Sequence, residues 1–174
     1  MKIIINEKNS KINNSWQEFK KVRAVIKNKK DEYAITHESQ KIIFPGGKME
    51  NDEDPLIAIK RELKEELGIE FSTNELSQIL EIETFYEDYY DFRTDSIIPR
   101  HTTTTYFYIE TDKELNLSEQ NLTQDEINQQ FKIFFVDKET LINLLLEDHS
   151  TAYNGKYFDQ ENKIILDKII KTTN

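Results

Sequence analysis

Apolar and polar positions change their period several times along the chain, and each change marks a predicted element. Val22-Arg23-Ala24-Val25-Ile26 and Glu32-Tyr33-Ala34-Ile35-Thr36 are short runs rich in β-branched and apolar residues, so they read as strands. The polar Lys27–Asp31 between them gives the pair hairpin spacing. Lys41 to Phe44 is a third extended stretch, stopped by Pro45-Gly46-Gly47. From about Pro55 to Leu67 the period becomes helical: Leu56, Ile59, Leu63 and Leu67 line one face.

Beyond that helix, Ile79 to Tyr86 and Thr102 to Ile109 return to β-branched and aromatic residues and predict longer strands. Phe131 to Val136 predicts another strand, followed by a helix from about Lys138 to Glu147. Ile165, Leu166, Ile169 and Ile170 recur at helical spacing and predict a C-terminal helix over about residues 161–171. Mixed strands with interspersed helices point to an α/β sandwich. With no internal repeat and no Pro- or Ser-rich linker, residues 1–174 are expected to form a single domain.

Charge narrows the choice of partners. The formal net charge is −10, and no basic stretch marks a duplex nucleic acid footprint. An anionic substrate could approach such a chain only with cations between the charges, although the acidity alone also serves solubility. Cysteine is absent, which excludes a disulfide framework, a thiolate metal site and a thiol nucleophile. No apolar run approaches the roughly 18 residues of a membrane span, and the N-terminus lacks a secretory pattern. A cytoplasmic location is the expectation.

The chain has four glycines and three prolines, and five of these seven fall between Pro45 and Gly68. The conformationally special residues therefore gather around one loop and one helix. Asp54 is a good N-cap, Pro55 suits the first helical position, and Gly68 suits the residue just past the end. On another face of the helix, Glu62 reaches Glu65 at i+3 and Glu66 at i+4. Like charges at that spacing oppose each other, and near a helix C-terminus they also oppose the macrodipole. Either a hard divalent cation such as Mg²⁺ or Mn²⁺ offsets them, or they form a solvated acidic face balanced by Lys60, Arg61 and Lys64.

The full spacing favours the first alternative. From Gly47 the chain runs five residues to Glu53, seven more to Arg61-Glu62-Leu63, then Lys64, Glu65-Glu66, Leu67 and Gly68-Ile69. This resembles the Nudix box, G-x5-E-x7-R-E-U-x-E-E-x-G-U with U aliphatic, at every specified position, and Phe44-Pro45-Gly46-Gly47 is the usual lead-in. The box covers residues 47–69. The resemblance implies a Nudix-type α/β/α sandwich with a mixed β-sheet, and an enzyme that hydrolyses a P–O–P bond with divalent-metal help. It implies Glu62, Glu65, Glu66 and the Gly47 carbonyl as metal ligands, Glu53 as support for the metal–water network, and Arg61 as an orienting residue. Glu53, Arg61, Glu62 and Glu66 are thus the residues expected to carry catalysis. The base is either a box glutamate or a carboxylate elsewhere, with Asp125 and Glu126 as candidates unless they belong to a solvated loop.

Substrate choice lies outside the box. The resemblance implies a nucleoside diphosphate linked to another group, such as a nucleoside triphosphate or dinucleoside polyphosphate. The upstream mark of coenzyme A hydrolases is not reproduced by Thr36-His37-Glu38-Ser39, and the proline that marks the ADP-ribose type is absent. Tyr86, seventeen residues past Ile69, matches a weak mark of dinucleoside polyphosphate hydrolases. Tyr86, Tyr89, Tyr90 and Phe92 could stack a base, and Arg23, Arg93 and Arg100 could contact phosphate or base; the alternative for each is ordinary packing. His37, His101 and His149 are scattered and receive no role. The expected partner is a small-molecule nucleotide, with neither duplex nucleic acid nor membrane, and a homodimer is left open. A non-catalytic Nudix-fold nucleotide sensor is the competing function, but the complete glutamate set favours turnover.

Overall fold

In the computed structural model of the chain, the described residues are 1–38, 41–92, 94–147, 149 and 154–170. Seven strands and four α-helices follow in the order β1 (Lys2–Ile5), β2 (Gln17–Lys27), β3 (Glu32–Glu38), β4 (Lys41–Ile43), α1 (Pro55–Leu67), β5 (Ser77–Asp91), β6 (Ser96–Glu110), α2 (Gln124–Asn128), β7 (Lys132–Asp137), α3 (Lys138–Leu145) and α4 (Gly155–Ile165). The strands form a sheet in the order β1-β5-β6-β2-β3-β4, with β7 pairing β3 off that path. β1 runs parallel to β5, while β3 is antiparallel to β2, β4 and β7, so the sheet is mixed. With its flanking helices, this is the expected α/β class. No described helix is long and apolar enough to cross a membrane.

The chain divides into two compact units, one of Met1–Lys20, Glu81–Thr104 and Glu139–Asn174, the other of Lys21–Leu80 and Thr105–Lys138. The second unit holds the whole Nudix-like segment. Its apolar core joins Val22, Ala24 and Ile26 of β2 to Ile59, Leu63 and Leu67 of α1, with Phe107 and Ile109 of β6. Burying such side chains stabilises by about 1.5–3 kcal/mol each, so the α1 stripe fixes which way the helix faces. The predicted hairpin forms, with the Asn28 N–H donating to the Glu32 carbonyl at 2.9 Å and Asp31 in the left-handed region at φ 64°.

Both ends of α1 stand where the sequence puts them. Asp54 accepts the Leu56 N–H at 2.8 Å, and Gly68 at φ 66° donates its N–H to the Lys64 carbonyl at 3.0 Å. A Cβ at Gly68 would lie 2.0 Å from the Asn116 carbonyl oxygen, so glycine is required twice over. The remaining carbonyls of the last turn are capped by a later segment. Asn116 N–H donates to Leu67 O and Asn121 N–H to Glu65 O, both at 2.9 Å, and the Gln120 side chain donates to Glu66 O at 2.5 Å.

Two elements are not expected from the sequence, and the bounds of others, the C-terminal helix among them, differ from the expectation. β1, at four residues, is too short to show a period and pairs with the distant β5. The five-residue α2 rests on a Thr123–Glu126 capping box rather than on an apolar stripe. The C-terminal helix begins at Gly155, six residues before the expected start, and passes into a π-helical turn over Leu166–Ile170. Gly155 reads locally as a loop residue, but it is needed where the backbone passes close to His149. The expected last residue, Lys171, lies outside the described residues.

Candidate metal and active site

The loop before α1 runs beside β2. Val22 N–H donates to the Gly47 carbonyl at 3.0 Å, and Ala24 N–H donates to the Pro45 carbonyl at 2.8 Å. Gly46 has φ 124°, and a Cβ there would lie 2.4 Å from the Val22 carbonyl oxygen. Only glycine lets the loop come this close. Its N–H then turns toward the helix and donates to Glu66 Oε2 at 2.7 Å. At Gly47 a Cβ would sit 2.4 Å from Glu62 Oε2, so the missing side chain leaves the cradle into which the Glu62 carboxylate fits.

Two of the three helical glutamates are buried. Glu62 is 7% exposed and Glu66 only 4%, which removes the solvated-face alternative for them. Glu65 is half-buried. Burial raises the Glu62 pKa, opposed by Arg61. It raises that of Glu66 well above the usual carboxylate range, against the pull of Arg23 and the Gly46 N–H, with Glu62 and Glu126 adding repulsion. Buried carboxylates of like charge are costly unless cations accompany them.

Arg61 supplies one such cation. Its Nε donates to Glu53 Oε1 and its Nη2 to Glu53 Oε2, both at 3.0 Å, a bidentate pair, and Nη2 also donates to the Lys48 carbonyl at 3.1 Å. The remaining nitrogen, Nη1, donates to Glu62 Oε1 at 2.8 Å and Glu65 Oε2 at 3.1 Å. Arg61 therefore holds the pKa of Glu53 below the usual range, while the carboxylates raise its own. Glu53 also accepts the Glu50 N–H at 3.0 Å, which ties it into its loop.

The structure thus brings Gly47, Glu53, Arg61, Glu62, Glu65 and Glu66 to one loop–helix junction. Among the described residues no three Asp, Glu, His or Cys side chains are gathered into a bare metal-binding group. Instead Arg61 takes Glu62 and Glu65, and the Gly46 N–H takes Glu66. The donors nevertheless fit a hard divalent cation: all are oxygens, two are buried carboxylates, and the Gly47 cradle opens onto one of them. Glu62, Glu65, Glu66 and the Gly47 carbonyl, which has one lone pair engaged by Val22, could hold it.

The other candidates fall differently. Arg23 belongs to the same unit, and its charge reaches both Glu62 and Glu66. Glu126 lies near enough to Glu66 to raise its pKa, but its carboxylate also closes the capping box with Thr123. Tyr86 belongs to the other unit, where it is 6% exposed and meets Tyr89 and Tyr157 edge-on at centroid distances of 5.5 and 4.4 Å. Arg100 lies 3.7 Å over the Tyr89 ring, also in that unit. Phe92 is exposed and packs edge-on against Tyr90, and Arg93 lies outside the described residues. Sequence reasoning missed the Gly46 N–H, the Lys48 carbonyl and the capping segment at Asn116–Asn121, since each acts through its backbone or across a long loop.

Comparisons with known proteins give the family and the fold. The NUDIX domain family matches residues 19–154. Among solved structures, the MutT protein from Methanosarcina mazei Go1 is 20% identical with a TM-score of 0.53, the match covering 87% of this chain and 99% of that one. The E. coli ORF135 protein is 17% identical with a TM-score of 0.50, covering 94% and 100%. These likenesses show the fold. No curated protein matches the sequence. Matched over most of its length, and over the whole of the loop and helix built above, the chain belongs to the Nudix family and is a Nudix hydrolase.

Proposed function

We propose that this Nudix pyrophosphohydrolase cleaves the P–O–P bridge of a nucleoside diphosphate linked to another group, a nucleoside triphosphate or a dinucleoside polyphosphate. The observation that carries the reading is the burial of the Glu62 and Glu66 carboxylates beneath the Gly46–Gly47 loop, a set of buried oxygen donors that suits a divalent cation. Nudix hydrolases generally need such a metal; here we assign Mg²⁺ or Mn²⁺ to Glu62, Glu65, Glu66 and the Gly47 carbonyl.

When bound, the ion neutralises phosphate oxygens and lowers the pKa of a coordinated water. The chain's own residues set the geometry. The Gly46 N–H and the Gly47 cradle fix the two buried carboxylates, and the Arg61–Glu53 pair braces the loop against the helix. Arg23 is assigned to a substrate phosphate, a role supported by its charge reaching the same carboxylates. The proton acceptor is a carboxylate of this junction, with Glu126 the candidate outside the box. Tyr86 remains a proposal for the base subsite only through its sequence position.

Turnover of nucleoside triphosphates and dinucleoside polyphosphates in ¹⁸O-water, with and without a chelator, tests this reading. The expected outcome is label on one side of a cleaved P–O–P bridge, loss of activity with chelator, and recovery with Mg²⁺ or Mn²⁺. Label confined to orthophosphate from monoesters, or full turnover without metal, overturns it.

A further inference from the structure

The two halves of the Arg61 guanidinium have different partners. Nε and Nη2 face the loop, where three bonds of 3.0 to 3.1 Å run to both Glu53 oxygens and the Lys48 carbonyl. Nη1 faces the helix and is shared between Glu62 Oε1 and Glu65 Oε2. Those two carboxylates are half of the donor set assigned above to the divalent ion.

We propose that Arg61 is a built-in counter-ion whose Nη1 holds Glu62 and Glu65 and must release them before they can coordinate metal, while its Nε–Nη2 edge keeps its grip on Glu53. The inference rests on the metal-site reading given above and adds competition between a side chain and the ion.

Three features support this division. First, without a cation beside them, Glu62 and Glu65 would repel each other at i,i+3 on one helix, and Nη1 is the cation that lies between them. Second, the loop-side edge makes a bidentate pair with Glu53, the geometry in which guanidinium binds a carboxylate most firmly. A lysine has a single charged nitrogen and could not serve both edges. Third, the Nη1 bond to Glu65 is partly exposed, with the Arg61 and Glu65 side chains 26% and 32% accessible, so it can be lost without opening the core, while the Nη1 bond to Glu62 ends on a buried carboxylate that a cation must still accompany. Arg61 is thus a positioning residue on its loop side and a competitor for ligands on its helix side.

Two measurements test the inference, neither of which depends on turnover. In ¹⁵N-labelled wild-type protein, the Arg61 Nε–H and Nη–H signals are followed during a Mg²⁺ titration. The Nη1 hydrogens should begin to exchange rapidly with water while the Nε–H stays protected. In parallel, Mn²⁺ binding is measured by electron paramagnetic resonance for wild type and Arg61→Gln. Freeing Glu62 and Glu65 from their Nη1 ion pairs should tighten Mn²⁺ binding about fivefold. Nη1 hydrogens that stay protected in Mg²⁺-bound protein overturn the inference alone, as does weaker Mn²⁺ binding by a folded Arg61→Gln variant. Wild type that binds neither ion overturns the metal-site reading and the inference with it. The wild-type titration decides the matter even where the variant fails to fold.

Discussion

Glu66 accepts the N–H of Gly46 at 2.7 Å, tying the last turn of α1 to a loop residue twenty positions earlier. The bond points a backbone donor at a carboxylate whose pKa burial raises, and so works against that rise. It holds a proposed metal ligand in place.

Glu66→Gln retains an oxygen that can accept the Gly46 N–H but removes the charge. Turnover should fall at least about a hundredfold, as when preorganised electrostatic stabilisation is lost. The metal-free protein should melt no lower than wild type, because burial already favours the neutral form at this position. Steady-state kinetics with a thermal melt checks both parts. A wild-type rate, or a collapse in melting temperature, contradicts the assignment.

The same contact predicts the cost of a methyl group at its other end. Gly46→Ala places a Cβ against the Val22 carbonyl oxygen at 2.4 Å, at a φ of 124° that alanine avoids. The loop must then move off β2 or accept strain on the order of 1–3 kcal/mol. Denaturant unfolding should show that loss, and turnover should fall with it because the Glu66 acceptor and its donor separate. Unchanged stability would show that the loop has room to shift.

How much of this was legible in the sequence depends on the range of the interaction. α1 begins at Pro55 and ends at Leu67 as expected, because Asp54, Pro55 and Gly68 act on the backbone within a turn of themselves. β2 begins at Gln17, five residues before its expected start, since Gln17-Glu18-Phe19-Lys20-Lys21 carries little apolar signal. The Nudix box names the residues that meet at this loop–helix junction, with Arg61 as an orienting residue. Its simultaneous hold on Glu53, Glu62 and Glu65 was not legible, because spacing alone does not say how one guanidinium is shared. Nor was the burial of Glu62 and Glu66, which depends on loops that fold over the acidic face from elsewhere in the chain.

Acid should reveal a separate ion pair in the same unit. Lys113 Nζ lies 2.8 Å from Glu75 Oε1, and with the Ser72 hydroxyl and N–H it holds the Glu75 pKa down at about 2. The unfolded value is about 4.3, so the pair's stabilisation is fully present above that value. It is lost as pH falls toward the folded pKa. Wild type should therefore melt above Glu75→Gln at neutral pH, and the gap should narrow below about pH 4 and close near pH 2. A gap that persists at pH 2 would place the effect in the turn at Ser72–Glu75 rather than in the charge.

Arg23 offers the sharpest test of where the substrate lies. Besides Arg61, it lowers the pKa of Glu62, and it acts on Glu66 as well. If that charge receives a phosphate, Arg23→Gln removes a charge-assisted contact that typically contributes about 1.5–3 kcal/mol. Because the phosphate is already anionic in the ground state, the loss should appear mainly in binding. KM should rise about tenfold or more while kcat changes less. A purely structural Arg23 predicts the reverse, with KM unchanged and a lower melting temperature. Arg23→Lys separates charge from shape: it should recover part of the KM loss if a point charge suffices, and none if the planar fork is what the phosphate meets. Initial rates over a range of nucleotide concentration at fixed Mg²⁺, with a melt for each variant, decide between these outcomes. Equal KM values in all three proteins would remove Arg23 from the substrate site.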